Sequence, residues 1–286
     1  MPTPRVAAVH DLSGFGRCSL SIVMPTLSAM GVQCCPLPTA FLSTHTGGFA
    51  GNTFLDLTDQ MAPVTAHWHA EGVTFDGVYT GFMGSREQMA LTADFIRAFK
   101  TERSCIVIDP VMGDHGKPYR TYTPEMCAAM RELAEYADVL TPNRTEAAIL
   151  LGVPYEDLRL DTEEECRKWV QELSLGGKRS VVLTGVSLKS DAVGAVCFDR
   201  ESGEISFAEA PRVDEQFHGT GDLFASVLTG AMVQGKSLRS AAQLAADFVS
   251  LTAAHTAAQD IPEREGVDFE PLLWRLGRSC NGGDSL

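Results

Sequence analysis

Residues 76–110 read DGVYTGFMGSREQMALTADFIRAFKTERSCIVIDP. DGVYTGF has the look of a short strand, REQMALTADFIRAFK of a helix, and SCIVIDP of the next strand. A strand that reaches its successor through a helix lies parallel to it, and the helix covers one face of the pair. The same alternation extends in both directions. Before it come RVAAVH, SLSIVMPTLSAMG and VQCCPLPTAF; after it come PEMCAAMRELAEYA, DVLTP, RTEAAILLG, EEECRKWVQELSLG and SVVLTG. This order predicts an α/β fold, a three-layer αβα sandwich around a mostly parallel sheet. Between residues 192 and 209, AVGAVCFD and EISFAEA flank DRESGE, which predicts an antiparallel hairpin at a sheet edge. Two helices follow, from about Asp222 to Gln234 and from about Leu238 to Ala257. No repeat, low-complexity tract or linker interrupts the pattern, so residues 1–286 are expected to form one domain, with 277–286 a loose tail.

Composition narrows the function classes. The apolar share is 44% and the charged share 21%, ordinary values for a soluble globular chain. No run approaches the roughly 18 apolar residues of a membrane span, and MPTPRVAAVH lacks a signal-peptide pattern. A net charge of −14 argues against a nucleic-acid surface, which needs clustered Lys and Arg. The 8 cysteines form no CxxC pair, so reduced thiols in a cytoplasmic protein are expected. His67 and His69, in AHWHA, stand at alternate positions of what would be a strand. No further ligands lie near them in sequence, and a surface segment is the expected reading.

In parallel folds ligands sit at the carboxyl ends of strands. The polar residues of this chain stand there, in HDLSG, TGF, IDPVMGD, LTPN and LTG. Residues 218–226, HGTGDLFAS, place Gly219, Thr220 and Gly221 where a helix begins. The first amides of a helix lack internal partners, and glycines let an anion approach them. Asp222 at this point is either a helix cap or a catalytic acid. Asp109 and Asp114 at one strand end, with Asn143 and Glu146 after the next, offer oxygen ligands suited to Mg²⁺ held partly through nucleotide phosphates; loop and cap roles are the competing account. Three polar strand ends meeting a Gly-rich helix start favour a metal and phosphate site. SGFGRCS near the N-terminus resembles half of a dinucleotide fingerprint, but Ser19 replaces the third glycine and the second strand ends without a ribose-binding acid. An NAD site is not expected, and the glycines are read as a tight turn or a close approach to a ligand. LSTHTGGFAGN combines hydroxyls, His45 and paired glycines, either as a substrate flap or as an ordinary polar loop.

Together these residues resemble the ribokinase superfamily, and within it the vitamin B6 branch, the pyridoxal/pyridoxamine kinases. GTGD at 219–222 matches the superfamily signature. DPVMGD at 109–114 and TPNxxE at 141–146 are shared with hydroxymethylpyrimidine kinases, while STHTGG at 43–48 is similar to the S-N-H-T-G motif of the B6 branch. The resemblance implies Asp222 as the base for a 5′-hydroxymethyl group, with the backbone of Gly219, Thr220 and Gly221 holding the transferring phosphoryl group. It implies Asp109, Asp114 and Glu146 around Mg²⁺, and Asp114, Tyr122, Thr141, Asn143 and Thr184 on the ATP side. Thr46 and Gly47 would meet the pyridine substrate. GKPYRTY at 116–122 matches a mobile segment that covers ATP. ATP as co-substrate, a homodimer, and room for a monovalent cation such as K⁺ belong to the same expectation; nucleic acid and membrane do not.

One departure stands out. Where the family has a strand-one serine holding the pyridine ring, this chain has Asp11, with Ser13 as the other candidate. An acid there suits the aminomethyl group of pyridoxamine. HDLSG is also similar to the S-D-P-S-G opening of hydroxymethylpyrimidine kinases, which makes that substrate the alternative. A non-catalytic B6-binding protein is the third reading, and the intact GTGD acid speaks against it.

Overall fold

The computed structural model describes residues 2–280. The chain begins with β1 (Arg5–Ser13), α1 (Leu20–Ala29), β2 (Gln33–Leu42), β3 (Phe54–Asp56), α2 (Thr58–Ala70) and β4 (Gly77–Thr80). It continues through α3 (Arg86–Phe99), β5 (Cys105–Ile108), β6 (Gly113–Asp114), β7 (Lys117–Pro118), α4 (Pro124–Ala134), β8 (Val139–Leu140), α5 (Arg144–Leu151) and α6 (Glu163–Leu173). It ends with β9 (Ser180–Val186), β10 (Ala192–Phe198), β11 (Ile205–Pro211), α7 (Thr220–Val233), α8 (Leu238–Ala257) and α9 (Leu273–Cys280). Among the described residues one sheet of nine strands runs β11-β10-β9-β8-β5-β4-β1-β2-β3. The steps from β2 through β9 are parallel; β10 and β11 form the expected antiparallel hairpin at one edge, and β3 turns back on β2 at the other.

Both faces of the central strands are covered, which is why they read as unbroken apolar runs. Along β1, Val6 and Ala8 pack with Leu20, Leu223, Leu228 and Phe248 of α1, α7 and α8. The alternate residues Ala7 and Val9 pack with Met61, Met89, Phe95 and Met130 of α2, α3 and α4. A third cluster seats α6 and part of α5 on β9 and β10 through Trp169, Val170, Val181 and Val196. In α3, Met89, Ala93, Ile96 and Phe99 recur at helical spacing and are buried, while Ser85 caps the helix by accepting the Gln88 amide. Each large apolar side chain buried this way contributes about 1.5–3 kcal/mol.

The chain first moves from β1 outward to β2 and later places β4 on the other side of β1. Strand order reverses there, and a crevice opens beyond the strand ends. The register between β1 and β2 slips between His10 and Leu12, so Asp11 sits on an irregularity that re-aims side chains at the mouth of this crevice.

Several expectations need correction. His67 and His69 are exposed, as a surface segment requires, but they lie in α2 and not in a strand; Pro63 within the same helix disguises its periodicity. The segment expected to be a loose tail from 277 is helical as far as Cys280, and the rest of it lies outside the described residues. Residues 113–118 form a small hairpin of β6 and β7. The cysteines within the described residues are free, and none of these helices is long and apolar enough to cross a membrane.

Candidate active site

The site is assembled where α7 begins against the end of β1. Gly219 precedes α7 at φ 82°, and a side chain there would come within 2.4 Å of Ile22 Cδ1 and 2.5 Å of the Arg17 carbonyl. Only glycine fits. Gly221 is the opposite case: beyond its chain neighbours and the backbone of its own helix, no atom lies within 4 Å of where a Cβ would stand. The amide of Leu223 reaches the Gly219 carbonyl at 2.9 Å, so the amides of residues 220–222 precede the helical ladder. The positive end of the helix dipole coincides with them, and the glycine leaves room for an anion to approach.

Asp222 lies in this first turn and does not cap it. Its Oδ2 accepts the Ser19 amide at 2.8 Å and the Cys18 thiol at 3.4 Å. Among the described residues nothing donates to Oδ1. Burial raises the Asp222 pKa, and the two donors oppose the rise. A carboxylate held by one oxygen, with a raised pKa and a free second oxygen, is equipped to accept a proton.

Asp11 is 5% exposed. Its Oδ1 accepts the Ser19 hydroxyl at 2.6 Å and its Oδ2 the Ser13 hydroxyl at 3.4 Å. Burial, with the charge of Asp222, pushes its pKa up to about 6 against the pull of the hydroxyls. His10, the next residue back, is fully buried edge-on to Tyr79, with ring centroids 4.3 Å apart. Neither of its ring nitrogens has a well-formed hydrogen bond among the described residues, and burial pushes its pKa down to about 3, so the ring is neutral. The Tyr79 hydroxyl reaches the Asp222 carbonyl at 3.5 Å.

A second acidic pair stands at the ends of β5 and β8. Asp109 and Glu146 are both buried, and burial drives both pKa values well above the carboxylate range. The charge of Asp222 adds to the rise at Asp109, and that of Asp109 to the rise at Glu146. Asn143 and Glu146 form a capping box on α5: the Asn143 side chain accepts the Glu146 amide at 3.0 Å, and Glu146 Oε2 accepts the Asn143 amide at 2.8 Å. Glu146 Oε1 accepts the Met112 amide at 3.2 Å, and Asn143 Nδ2 donates to the Gly113 carbonyl at 2.9 Å. The box therefore also anchors the strand end that carries Asp109. Thr141 is buried beside Asp109, and its hydroxyl lacks a well-formed hydrogen bond. The Thr184 hydroxyl and amide both turn to the Pro142 carbonyl, at 3.4 and 2.9 Å.

The substrate-loop candidates reach the same place. His45 is buried, accepts the Gly47 amide on Nδ1 at 3.1 Å, and so donates from Nε2 to the Arg264 carbonyl at 2.8 Å. Gly47 lies against the ring of His218, the residue before GTGD. Thr46 is exposed beside it.

Two assigned residues border the acids without a hydrogen bond to them. Tyr122, expected on the ATP side, is packed in the core and donates its hydroxyl to the Met83 carbonyl at 3.2 Å. Tyr119, 44% exposed, is the ring that this segment presents to solvent. Asp114 is half exposed on the hairpin, with its Oδ1 accepting the amide of His115, and its charge still adds to the rise at Glu146. The residues missed by sequence reasoning are Cys18, Ser19, His10 and His218. SGFGRCS signalled a close approach but not to what, and no signal marks a serine whose backbone amide meets Asp222.

The model of a family described as phosphomethylpyrimidine kinase matches residues 24–263. The chain belongs to this family. A Bacteroides thetaiotaomicron chain named for phosphomethylpyrimidine kinase and crystallised with pyridoxal is similar over 99% of this chain and 98% of its own, at 39% identity and a TM-score of 0.89. Pyridoxal kinase from Lactobacillus plantarum is 30% identical, with a TM-score of 0.88 over 99% of this chain and all of that one. Pyridoxal kinase of Sus scrofa is 33% identical over 54% of this chain and 51% of its own length. The match spans about half the length of the first curated relatives, at 50%, 46% and 45%. The fold is the ribokinase-like arrangement that the motifs implied.

Proposed function

We propose that this chain transfers the γ-phosphoryl group of ATP to the 5′-hydroxymethyl group of a vitamin B6 vitamer. The observation that carries the reading is the open N-terminus of α7 with Asp222 beside it, tethered by one oxygen only. In this reading Oδ1 of Asp222 takes the alcohol proton as the oxygen attacks phosphorus, and the amides of residues 220–222 receive the charge of the moving phosphoryl group. In-line transfer needs positioning and charge stabilisation rather than covalent chemistry from the protein. Asp11 and Ser13 would face the pyridine ring, with Thr46 and Gly47 above it. The likeness to the chain crystallised with pyridoxal supports the substrate class.

Asp109 and Glu146 suit Mg²⁺. Both are buried acids with strongly raised pKa values, and no lysine or arginine pairs with either among the described residues. No three acidic, histidine or cysteine side chains converge as a cage among those residues either, so such an ion would draw its remaining ligands from water and nucleotide phosphates. When bound, Mg²⁺ supplies charge neutralisation to the phosphates. The same proposal includes a homodimer in the cytoplasm; Phe41, Phe54 and Leu55, exposed along the β3 edge, support an assembly surface.

The alternative acceptor is hydroxymethylpyrimidine, favoured by the family description and by Asp11 within HDLSG. Incubation with ATP, Mg²⁺ and a panel of pyridoxal, pyridoxamine, pyridoxine and hydroxymethylpyrimidine separates the two by which alcohol becomes a phosphate ester. Asp222→Ala should then lose about 10²–10⁴-fold in kcat with vitamer binding kept. Wild-type kcat should fall in acid at a pH above the ordinary carboxylate range, because the base works only when ionised. Retained turnover in Asp222→Ala would refute the assignment of the base.

A further inference from the structure

Asp11 and Asp222 meet at Ser19, and every polar group of that serine is engaged. Its amide donates to Asp222 Oδ2 at 2.8 Å, and its hydroxyl donates to Asp11 Oδ1 at 2.6 Å. Its carbonyl accepts the amides of Ile22 and Val23, at 2.9 and 3.0 Å, and starts α1. Ser19 is 3% exposed and has φ 52° and ψ −131°, in the region that favours glycine. A residue other than glycine held there is strained, and such strain persists only where the surroundings over-determine it. The surroundings do so here. Arg17, two residues earlier, is clamped by ion pairs to Asp268 at 2.7 Å and Glu270 at 2.8 Å, and its amide donates to the Glu265 carbonyl at 3.0 Å. The twist at Ser19 sends its amide toward α7 while its side chain reaches β1. Glycine would relieve the strain, but it carries no hydroxyl for Asp11.

We propose that Ser19 is a positioning residue for phosphoryl transfer: its twisted backbone fixes Asp222 by one oxygen and leaves Oδ1 as the proton acceptor, while its hydroxyl ties that base to Asp11 at the substrate end. This rests on the reading of Asp222 as the base. Cys18 is the second anchor, through its thiol on the same oxygen. The two acids are thus tied to one residue as well as to each other's charge.

The test separates stability from function. Ser19→Ala keeps the amide and loses the hydroxyl, so the KM for the alcohol should rise about tenfold with kcat changed far less, the size expected of a hydrogen bond to a charged group. Ser19→Gly loses the same hydroxyl but accepts the positive φ, so it should melt no lower than Ser19→Ala, yet its freed backbone should lower kcat about tenfold in addition. A purely structural serine would not make a more relaxed protein slower. Asp11→Asn with Ser19→Ala should be little worse than Asp11→Asn alone, because the hydroxyl has already lost its charged partner. Additive losses in that double variant, or wild-type kcat in Ser19→Gly, would overturn the proposal. If Asp222→Ala is dead while both Ser19 variants work normally, this inference fails and the base assignment survives. If Asp222→Ala still turns over, both fall together.

Discussion

Helices α5 and α7 both begin at the carboxyl edge of the same sheet, yet they treat their first amides in opposite ways. In α5 the Asn143–Glu146 box closes the terminus upon itself, and Gly152 at φ 68° closes the other end. In α7 no side chain caps the start, and Gly219 and Gly221 leave it bare. A glycine in the cap position forgoes only a few tenths of a kcal/mol of stability relative to a side-chain cap. On the proposed function, the difference separates the helix that serves the fold from the one kept available for a ligand. It also explains the placement of the acids. Glu146 has both oxygens committed to backbone amides, whereas Asp222 has one oxygen free.

Filling the bare terminus should break the comparison most sharply. Gly221→Ala places a methyl group where, beyond its chain neighbours and the backbone of its own helix, no protein atom lies within 4 Å. Alanine in place of glycine favours a helix by about 0.5–1 kcal/mol, so the variant should melt at or above the wild-type temperature. Its kcat/KM for ATP should nevertheless fall, by about 10²-fold if the methyl displaces one phosphate contact of the strength measured for single anion-hole donors. Thermal melts beside steady-state kinetics decide the matter. A variant that is both more stable and fully active would mean that the phosphate binds elsewhere.

Opening the closed terminus should have the reverse profile. Asn143→Ala removes the α5 cap, one arm of the box and the tether to Gly113, at a cost of about 1 kcal/mol or somewhat more, or a few degrees of melting temperature. Activity should fall by less than tenfold, since the loss reaches Asp109 only through the shifted strand end. A loss of turnover as large as that of Gly221→Ala, without a drop in melting temperature, would give α5 the ligand role assigned here to α7.

Much of this was legible in the sequence because it is local. Unbroken apolar strands, the hairpin around DRESGE and the glycines before Asp222 each follow from a rule that works within a dozen residues. The acids Asp109 and Glu146 were legible as strand-end polar residues for the same reason. Ser19 was not legible, because its positive φ is imposed by α7 and by the Arg17 clamp, partners some 200 residues or more away in sequence. The exposure of Asp114 was not legible, because it is set by the turn at His115, with φ 50°. His67 and His69 are exposed as expected, but on a helix, which Pro63 and the weak amphipathicity of α2 hide.

The smallest expected effect concerns Tyr122, which motif position assigned to the nucleotide and the structure assigns to the core. Tyr122 packs in one cluster with Met83, Met112 and Met126, and beside Phe82 with ring centroids 6.0 Å apart. Its hydroxyl meets the Met83 carbonyl, and burial pushes its pKa far above that of a free tyrosine, so it stays a neutral donor at every working pH. Tyr122→Phe removes that single hydrogen bond and keeps the ring. Stability should drop by about 1 kcal/mol, the net worth of one neutral hydrogen bond, and the KM for ATP should stay within twofold of wild type. The neighbouring Tyr119, exposed on the same segment, is the control. If Tyr122→Phe raises the KM for ATP while Tyr119→Ala leaves it unchanged, the segment must refold around the nucleotide and bring the buried ring out. The division between closed and open helix termini would then hold only for the free enzyme.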